Sequence, residues 1–313
     1  MSSRAPSRSW RLEEYLAAKE ELQQLVHTLS DYECKCLLNV VRDVAAGERF
    51  WEGDFGRLYN EYVKLRYFKL PRNRAAVPPI SVEGSFVPIP ITKSYADADR
   101  VPLPSPEPPS ISLADTLMRR RSGRDYSGKP ISQGQLSTLL AYACGATCSV
   151  QAYSYTKVPL RTFPSHGGLQ SPEIYLSIRT VENVPSGIYH YNAVDHALEV
   201  IKTGDYSEAL RMVAFDERFF ETASVVFLIT GCYERLKWKY GERSYRFICI
   251  DSGLACENIY LVSEALGLGV CAVSGFAQDG VEDLFEIDGK NEMAMVLTTV
   301  GVRAGPDESK AGA

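Results

Sequence analysis

The chain has 313 residues, of which 45% are hydrophobic, 23% charged and 11% aromatic, a composition that excludes disordered, collagen-like and coiled-coil chains. A chain of this length can bury roughly three quarters of its unfolded surface, so it can build a large core without disulfide staples. The net charge of −5 argues against a general nucleic-acid binder. The longest wholly apolar stretches, such as Val225–Ile229, are too short to span a bilayer.

Residues Met1 to Trp10 carry Arg and Ser but no apolar run, which speaks against a secretory signal and for a cytoplasmic protein. From Leu12 to Leu29 apolar residues recur at three- and four-residue steps, predicting an amphipathic helix. Ser30 or Asp31 can cap a second helix through Ala46, which Gly47 ends, and Asp54 to Phe68 reads as a third. Residues 1–70 therefore form a small helical N-terminal module, either a capping or dimer-supporting element or a peptide-docking one. Ten of the 17 prolines lie between Pro71 and Pro109, which excludes helix and central strand there. Residues 71–110 read as an extended arm, with Val87–Ile91 and Val101–Leu103 packed on the domain that follows.

That domain, residues 111–305, begins with Ser112 and Asp115 in a capping-box spacing for a helix through Arg121. Ser132 and Gln135 repeat the device for a helix ending near Gly145. Strands follow at Glu173–Arg179, Gly187–Tyr191 and Ala197–Ile201, then a buried one at Ser224–Thr230. The longest helix runs from about Arg243 to Leu266, and Gly269–Gly275 and Met293–Val302 are short, glycine-bounded central strands. Residues 306–313 read as a flexible tail.

The eight cysteines form no Cys-x-x-Cys, and His190 and His196 lack ligand spacing, so no metal site is expected and the thiols are read as reduced. Five other clusters carry more chemistry. Arg120-Arg121-Ser122-Gly123-Arg124 packs three guanidinium groups and a hydroxyl into one turn, as a phosphate would require, although a solvated basic turn would look the same. Pro164-Ser165-His166-Gly167-Gly168-Leu169-Gln170 and Ala272-Val273-Ser274-Gly275-Phe276 permit close backbone approach to a flat ligand, or are plain turns. Arg303 follows the last strand. Lys239-Tyr240 is a potential proton-transfer pair, or merely surface.

In this order the clusters resemble the flavin-dependent nitroreductase superfamily. More narrowly, they are similar to the SagB-type oxidases that convert thiazolines and oxazolines to azoles. The matching pieces are LADTLMRRRSGRDYSGKPIS, RTFPSHGGLQSPEIYL, GIYHYN, KWKYGERSYRF, DSGLACENIYLVSEALGLG and GVR, over about residues 93 to 303. The resemblance implies an α+β fold, with a central mostly antiparallel sheet flanked by helices in a domain-interlocked homodimer with two FMN sites at its interface. It implies that Arg120, Ser122 and Arg303 hold the FMN phosphate, and that Arg124 reaches the ribityl chain and pyrimidine edge. Ser165, His166, Gly167 and Gln170 would line the site from the partner protomer, and Ser274 and Gly275 would lie against the isoalloxazine. Lys239 and Tyr240 match the pair implicated in azoline oxidation. Pro-Ser-His-Gly departs from the commoner Pro-Ser-Ala-Gly form, which leaves the role of His166 open. The implied partners are an azoline-containing peptide or carrier-protein-bound intermediate and a biosynthetic complex, with no nucleic acid or membrane. Two further readings stay open on the same fold: an NAD(P)H-dependent reductase of nitro compounds, quinones or enones, and a non-catalytic docking subunit.

Overall fold

The computed structural model divides into two compact units, Met1–Pro78 and Pro79–Ala313, so the division falls inside the proline-rich stretch. It describes residues 89–305, except Ser154 and the side chain of Thr156, and in the first unit Cys34, Leu38, Gly56, Tyr59 and Asn60, all helical. The remainder of the three helices expected before residue 70, the first part of the arm and the tail lie outside the described residues.

The second unit is an α+β domain. Its elements are β1 (Arg100–Pro102), α1 (Leu113–Arg119), α2 (Gln133–Cys144), β2 (Ala146–Ala152), β3 (Tyr155–Arg161), β4 (Pro172–Ile178), β5 (Gly187–Asn192) and β6 (Ala197–Thr203), followed by α3 (Ser207–Val213), β7 (Val225–Cys232), α4 (Tyr233–Tyr240), α5 (Ser244–Ala265), β8 (Leu268–Val273), α6 (Gln278–Phe285) and β9 (Glu292–Val302). Seven strands form one sheet in the order β1-β6-β5-β4-β7-β9-β8, every neighbouring pair antiparallel. The strands β2 and β3 form a separate hairpin.

Both faces of the sheet are covered, and the two-residue period of the central strands sorts the side chains between them. Ile174, Leu176, Phe227 and Ile229 face a core completed by Leu139 and Leu140 of α2 and Ala255 and Ile259 of α5. Their neighbours Tyr175, Val226 and Leu228 face the other core, with Leu210 of α3 and Phe285 of α6. The expected capping box is present on α2: Ser132 accepts from the Gln135 N–H, and the Gln135 side chain accepts in return from the Ser132 N–H. The long helix and the last two strands lie within two residues of the expected bounds. The hairpin, α3, α4 and α6 were not foreseen.

A third, smaller apolar cluster supports the candidate site. Ile91 from the arm joins Val158 of the hairpin, Leu169, Leu236 of α4, and Phe247 and Ile248 of α5. Residues 89–103 thus lie on the domain: Ile91 is buried here, and Val101 and Leu103 pack against the main core.

Candidate functional site

The predicted residues gather at two places along α5. At its C-terminal half the Arg120–Arg124 turn is stitched to β8 by the Gly123 N–H, which donates to Val270 O at 2.9 Å. The Ser122 and Tyr260 hydroxyls lie 3.0 Å apart, and Tyr260 also accepts from the Ala272 N–H at 2.7 Å. The Arg120 guanidinium sits 5.3 Å over the Tyr260 ring. Neither Arg120 nor Arg124 has a carboxylate partner among the described residues. Arg303 is different: it pairs with the Glu264 carboxylate and donates through Nε to Leu268 O at 3.1 Å. Arg124 lies over Phe219 and lines an open cleft with Asp216, Glu217 and Arg218. Ser274 and Gly275 are exposed just past β8, and a Cβ added to Gly275 would meet nothing within 4 Å.

The second gathering lies at the N-terminal half of α5. Lys239 and Tyr240 are the last two residues of α4, which Gly241 ends with a φ of 57°. Facing them is the Ser165–Gln170 turn, closed by the Gln170 N–H donating to Ser165 Oγ at 2.9 Å. Gly167, at φ 64°, has no room for a side chain: a Cβ there would stand 2.6 Å from the Tyr240 hydroxyl and 2.9 Å from Lys239 Nζ. Lys239 Nζ donates to the Tyr153 hydroxyl at the tip of the hairpin, and Tyr153 in turn donates to Gly167 O at 2.9 Å. Partial burial pulls the Lys239 pKa down, but hydrogen bonds to Tyr153 and Tyr240 outweigh it and leave it above the ordinary lysine value. Lys239 is therefore a persistent cation between two phenols.

His166 stacks on Phe247 at 4.0 Å and 11°, and its Nδ1 lies 2.6 Å from the fully buried Asp251 carboxylate. The His166 backbone N–H also donates to both Asp251 oxygens at 3.2 Å, and the Ser171 hydroxyl donates to Oδ2 at 2.7 Å. Tyr240 meets the same Phe247 ring edge-on at 4.9 Å.

A buried ion cluster holds these pieces in place. Arg235, one helical turn before Lys239, donates to Pro90 O of the arm at 2.9 Å, to Gln170 O of the turn at 2.7 Å and to Glu173 Oε1 at 2.5 Å. Glu173 further accepts from the Lys93 N–H, from Arg161 of the hairpin and from His190. Burial alone would raise the Glu173 pKa, but Arg235, His190 and Arg161 overcome this and hold its carboxyl far below the usual range. One buried carboxylate thereby ties the arm, the turn, the hairpin and α4 together.

Residues 117–302 match the Nitroreductase family, more than half of the chain. A nitroreductase-like protein of Methanocaldococcus jannaschii, MJ1384, is 30% identical over 203 residues, covering 65% of this chain and 97% of that protein. The chain belongs to the nitroreductase family. The trifolitoxin-processing protein TfxB of Rhizobium leguminosarum bv. trifolii is 28% identical over 165 residues, covering 51% of this chain; the chain spans less than half, 44%, of that relative. A chain of the Escherichia coli microcin synthetase McbBCD complex, solved with truncated pro-MccB17 bound, superposes with a TM-score of 0.52 over 96% of this chain and all of that one; at 19% identity the likeness is one of fold. These relationships bear out the resemblance carried by the sequence clusters and place the chain among oxidoreductases of a family whose members generally use flavin.

The donor set of this family member fits a flavin phosphate. Arg120 and Arg124, which have no carboxylate partner among the described residues, flank the Ser122 hydroxyl, and such forked donors match phosphate oxygens. The buried Gln170 Oε1 has no hydrogen-bond partner and is an unmet acceptor at the turn. Three residues at the site were missed from sequence: Asp251, Phe247 and Tyr153. A carboxylate on the apolar face of a long amphipathic helix is a legible sign for Asp251, because such a group needs a partner. Tyr153 carries no comparable signal, since the hairpin that presents it has no clear strand pattern. Among the described residues no helix is long and apolar enough to cross a membrane.

Proposed function

We propose that the protein is an FMN-dependent oxidase that converts a thiazoline or oxazoline in a peptide, or in a carrier-bound intermediate, to the azole. The observation that carries this reading is the convergence of Lys239 and Tyr240 on the His166–Gly167 turn, with the Lys239 cation between two phenol oxygens. In this reading Arg120, Ser122 and Arg303 hold the FMN phosphate, and Arg124 the ribityl and pyrimidine side. Ser165, His166, Gly167, Gln170, Ser274 and Gly275 line the remainder. Bound FMN would supply the hydride acceptor, with dioxygen as the final oxidant.

The chain's own contribution is proton handling and placement. Tyr240 takes the acidic proton from the ring carbon beside the carbonyl while hydride leaves the adjacent carbon. Lys239, which remains charged, stabilises negative charge at the phenol oxygen throughout the transfer. The net reaction is azoline plus dioxygen to azole plus hydrogen peroxide.

A second copy of the chain completes the site in this proposal. Ile250 and Leu254 on α5, and Leu113, Leu117 and Met118 on α1, are exposed apolar side chains that a partner protomer would cover. The trifolitoxin-processing name of the Rhizobium relative supports a processing role for the chain. The deciding experiment mixes the FMN-loaded protein anaerobically with a synthetic thiazoline and, separately, with NADPH. Bleaching of the flavin by the thiazoline, with the thiazole as product, is the expected result. Rapid bleaching by NADPH alone would instead mark a reductase, and a purified protein that binds no FMN would mark a docking subunit.

A further inference from the structure

His166 has a geometry that cofactor lining does not call for. Asp251 has no exposure at all, and its contacts are the His166 backbone N–H, the His166 ring and the Ser171 hydroxyl. The imidazole is thus the only one of these groups able to carry a compensating positive charge. A carboxylate 2.6 Å from Nδ1 fixes the neutral ring as the Nδ1–H tautomer and leaves the Nε2 lone pair turned away from Asp251. Stacking on Phe247 locks the ring plane, and its side chain keeps 29% exposure, so a proton taken up at Nε2 has a route to solvent. The charged and titratable groups around it are Asp251 on α5, Lys239 and Tyr240 on α4, Tyr153 on the hairpin, and Arg243, whose guanidinium lies 5.0 Å over the same Phe247 ring.

We infer that His166, oriented by Asp251, is the second proton-transfer group of this site, receiving from Tyr240 the proton that Tyr240 removes from the substrate. The inference rests on the oxidase reading and deepens it. The ring proton passes from carbon to the Tyr240 oxygen, then directly or through one water to His166 Nε2, and from the imidazolium to solvent. Asp251 stays ionised throughout and neutralises the imidazolium. The hydride takes the separate route already described, so no additional oxidant is needed. Asp251 is a positioning residue, and His166 handles the proton itself.

The test uses full-length FMN-loaded protein and follows anaerobic flavin bleaching by a thiazoline across about pH 5 to 8, where histidine titrates. The wild-type rate rises with pH as Nε2 becomes free to accept. His166→Gln, which retains a donor for Asp251, is expected to flatten this limb and slow bleaching by about 10- to 100-fold, within the range of general-base effects. Asp251→Asn removes the counter-charge and moves the limb to lower pH, and added imidazole partly restores His166→Ala. Independently of turnover, the His166 ring nitrogens are followed by NMR in the protein without FMN: its titration moves to lower pH in Asp251→Asn and is displaced in Tyr240→Phe. An unchanged pH limb in His166→Gln, a uniform loss of rate without imidazole rescue, or a His166 titration indifferent to Tyr240→Phe would each overturn the inference. If the thiazoline fails to bleach the wild-type flavin, the oxidase reading falls, and the NMR titrations decide whether His166 and Tyr240 share a proton.

Discussion

The two halves of α5 serve opposite purposes. Asp251 and Tyr260 lie nine residues apart, or about 14 Å at 1.5 Å per residue. Around Tyr260 the protein presents cations with no carboxylate partner among the described residues: Arg120 is half-buried over the Tyr260 ring and Arg124 is exposed over Phe219, and their turn is joined to the domain by the Ser122–Tyr260 hydroxyl pair and the Gly123–Val270 backbone bond. Around Asp251 the charges already have their partners. The carboxylate has its histidine, Lys239 has two phenols, and behind them Glu173 and Arg235 are buried together. The first half is organised to receive charge from outside. The second is organised to keep its own charges in a fixed arrangement, which on the proposed reading lets a proton move among them.

The contrast is broken most strongly by removing the proton-handling pair. Lys239→Ala and Tyr240→Phe are expected to lower azoline turnover by about 10²- to 10⁴-fold. Both should retain FMN, read from its visible absorbance, because neither residue belongs to the phosphate end. Loss of FMN from either variant would collapse the distinction between the halves.

Next comes the support beneath that pair. Glu173→Gln leaves Arg235 and Arg161 buried without their carboxylate and should cost about 3–5 kcal/mol of stability, measured by chemical denaturation. Arg120→Ala is expected to do the reverse. Loss of one charged hydrogen-bonding group weakens FMN binding by roughly 10- to 100-fold, while the apoprotein's midpoint should move little because the half-buried side chain has no ion pair among the described residues. A stability loss in Arg120→Ala comparable to that in Glu173→Gln would show that its end is structural.

Acid separates the regions further. Burial would raise the Glu199 pKa, but hydrogen bonds from Asn192, the Tyr95 N–H, His190 and Ser94 prevail and lower it from 4.5 to about 2. A carboxylate with a lowered folded-state pKa stabilises the fold fully above its unfolded value. The contribution from Glu199 is therefore present above about pH 4.5 and lost as pH falls toward 2. The denaturation midpoint should fall over that window, and Glu199→Gln should flatten the slope.

The two halves also differ in how far sequence exposed them. The phosphate end is local in the chain: Arg120, Ser122 and Arg124 fall within five residues, and caps and periodicity place that turn after a helix. The other end is assembled from distant segments. Asp251 meets His166 across 85 residues, and Lys239 meets Tyr153 across 86. No helical or strand period encodes such a contact. What periodicity did expose was the sheet and the long helix, because β4 and β7, buried on both faces, read as short continuous strand-like runs and the apolar faces of α5 repeat within one element. The hairpin escaped because β2 is exposed along nearly its whole length and has no such apolar run. The short helix α4 escaped because half of Tyr233–Tyr240 is charged and its buried residues are only Arg235 and Leu236, too few to form an apolar stripe.

The smallest effect tests the one residue that belongs to neither pattern. Arg303 follows a strand at the phosphate end, yet it is engaged with a carboxylate like the residues at the other end. If it holds phosphate, Glu264 and the phosphate compete for one guanidinium and repel each other across it. Glu264→Gln would then relieve the repulsion and tighten FMN binding by about fivefold, the equivalent of about 1 kcal/mol for a partly exposed pair. If Arg303 serves only to hold the Leu268 carbonyl, the variant leaves FMN affinity unchanged, and Arg303→Ala lowers stability without releasing flavin. Titration of FMN into the two variants, read by quenching of flavin fluorescence, assigns Arg303 to one half or the other.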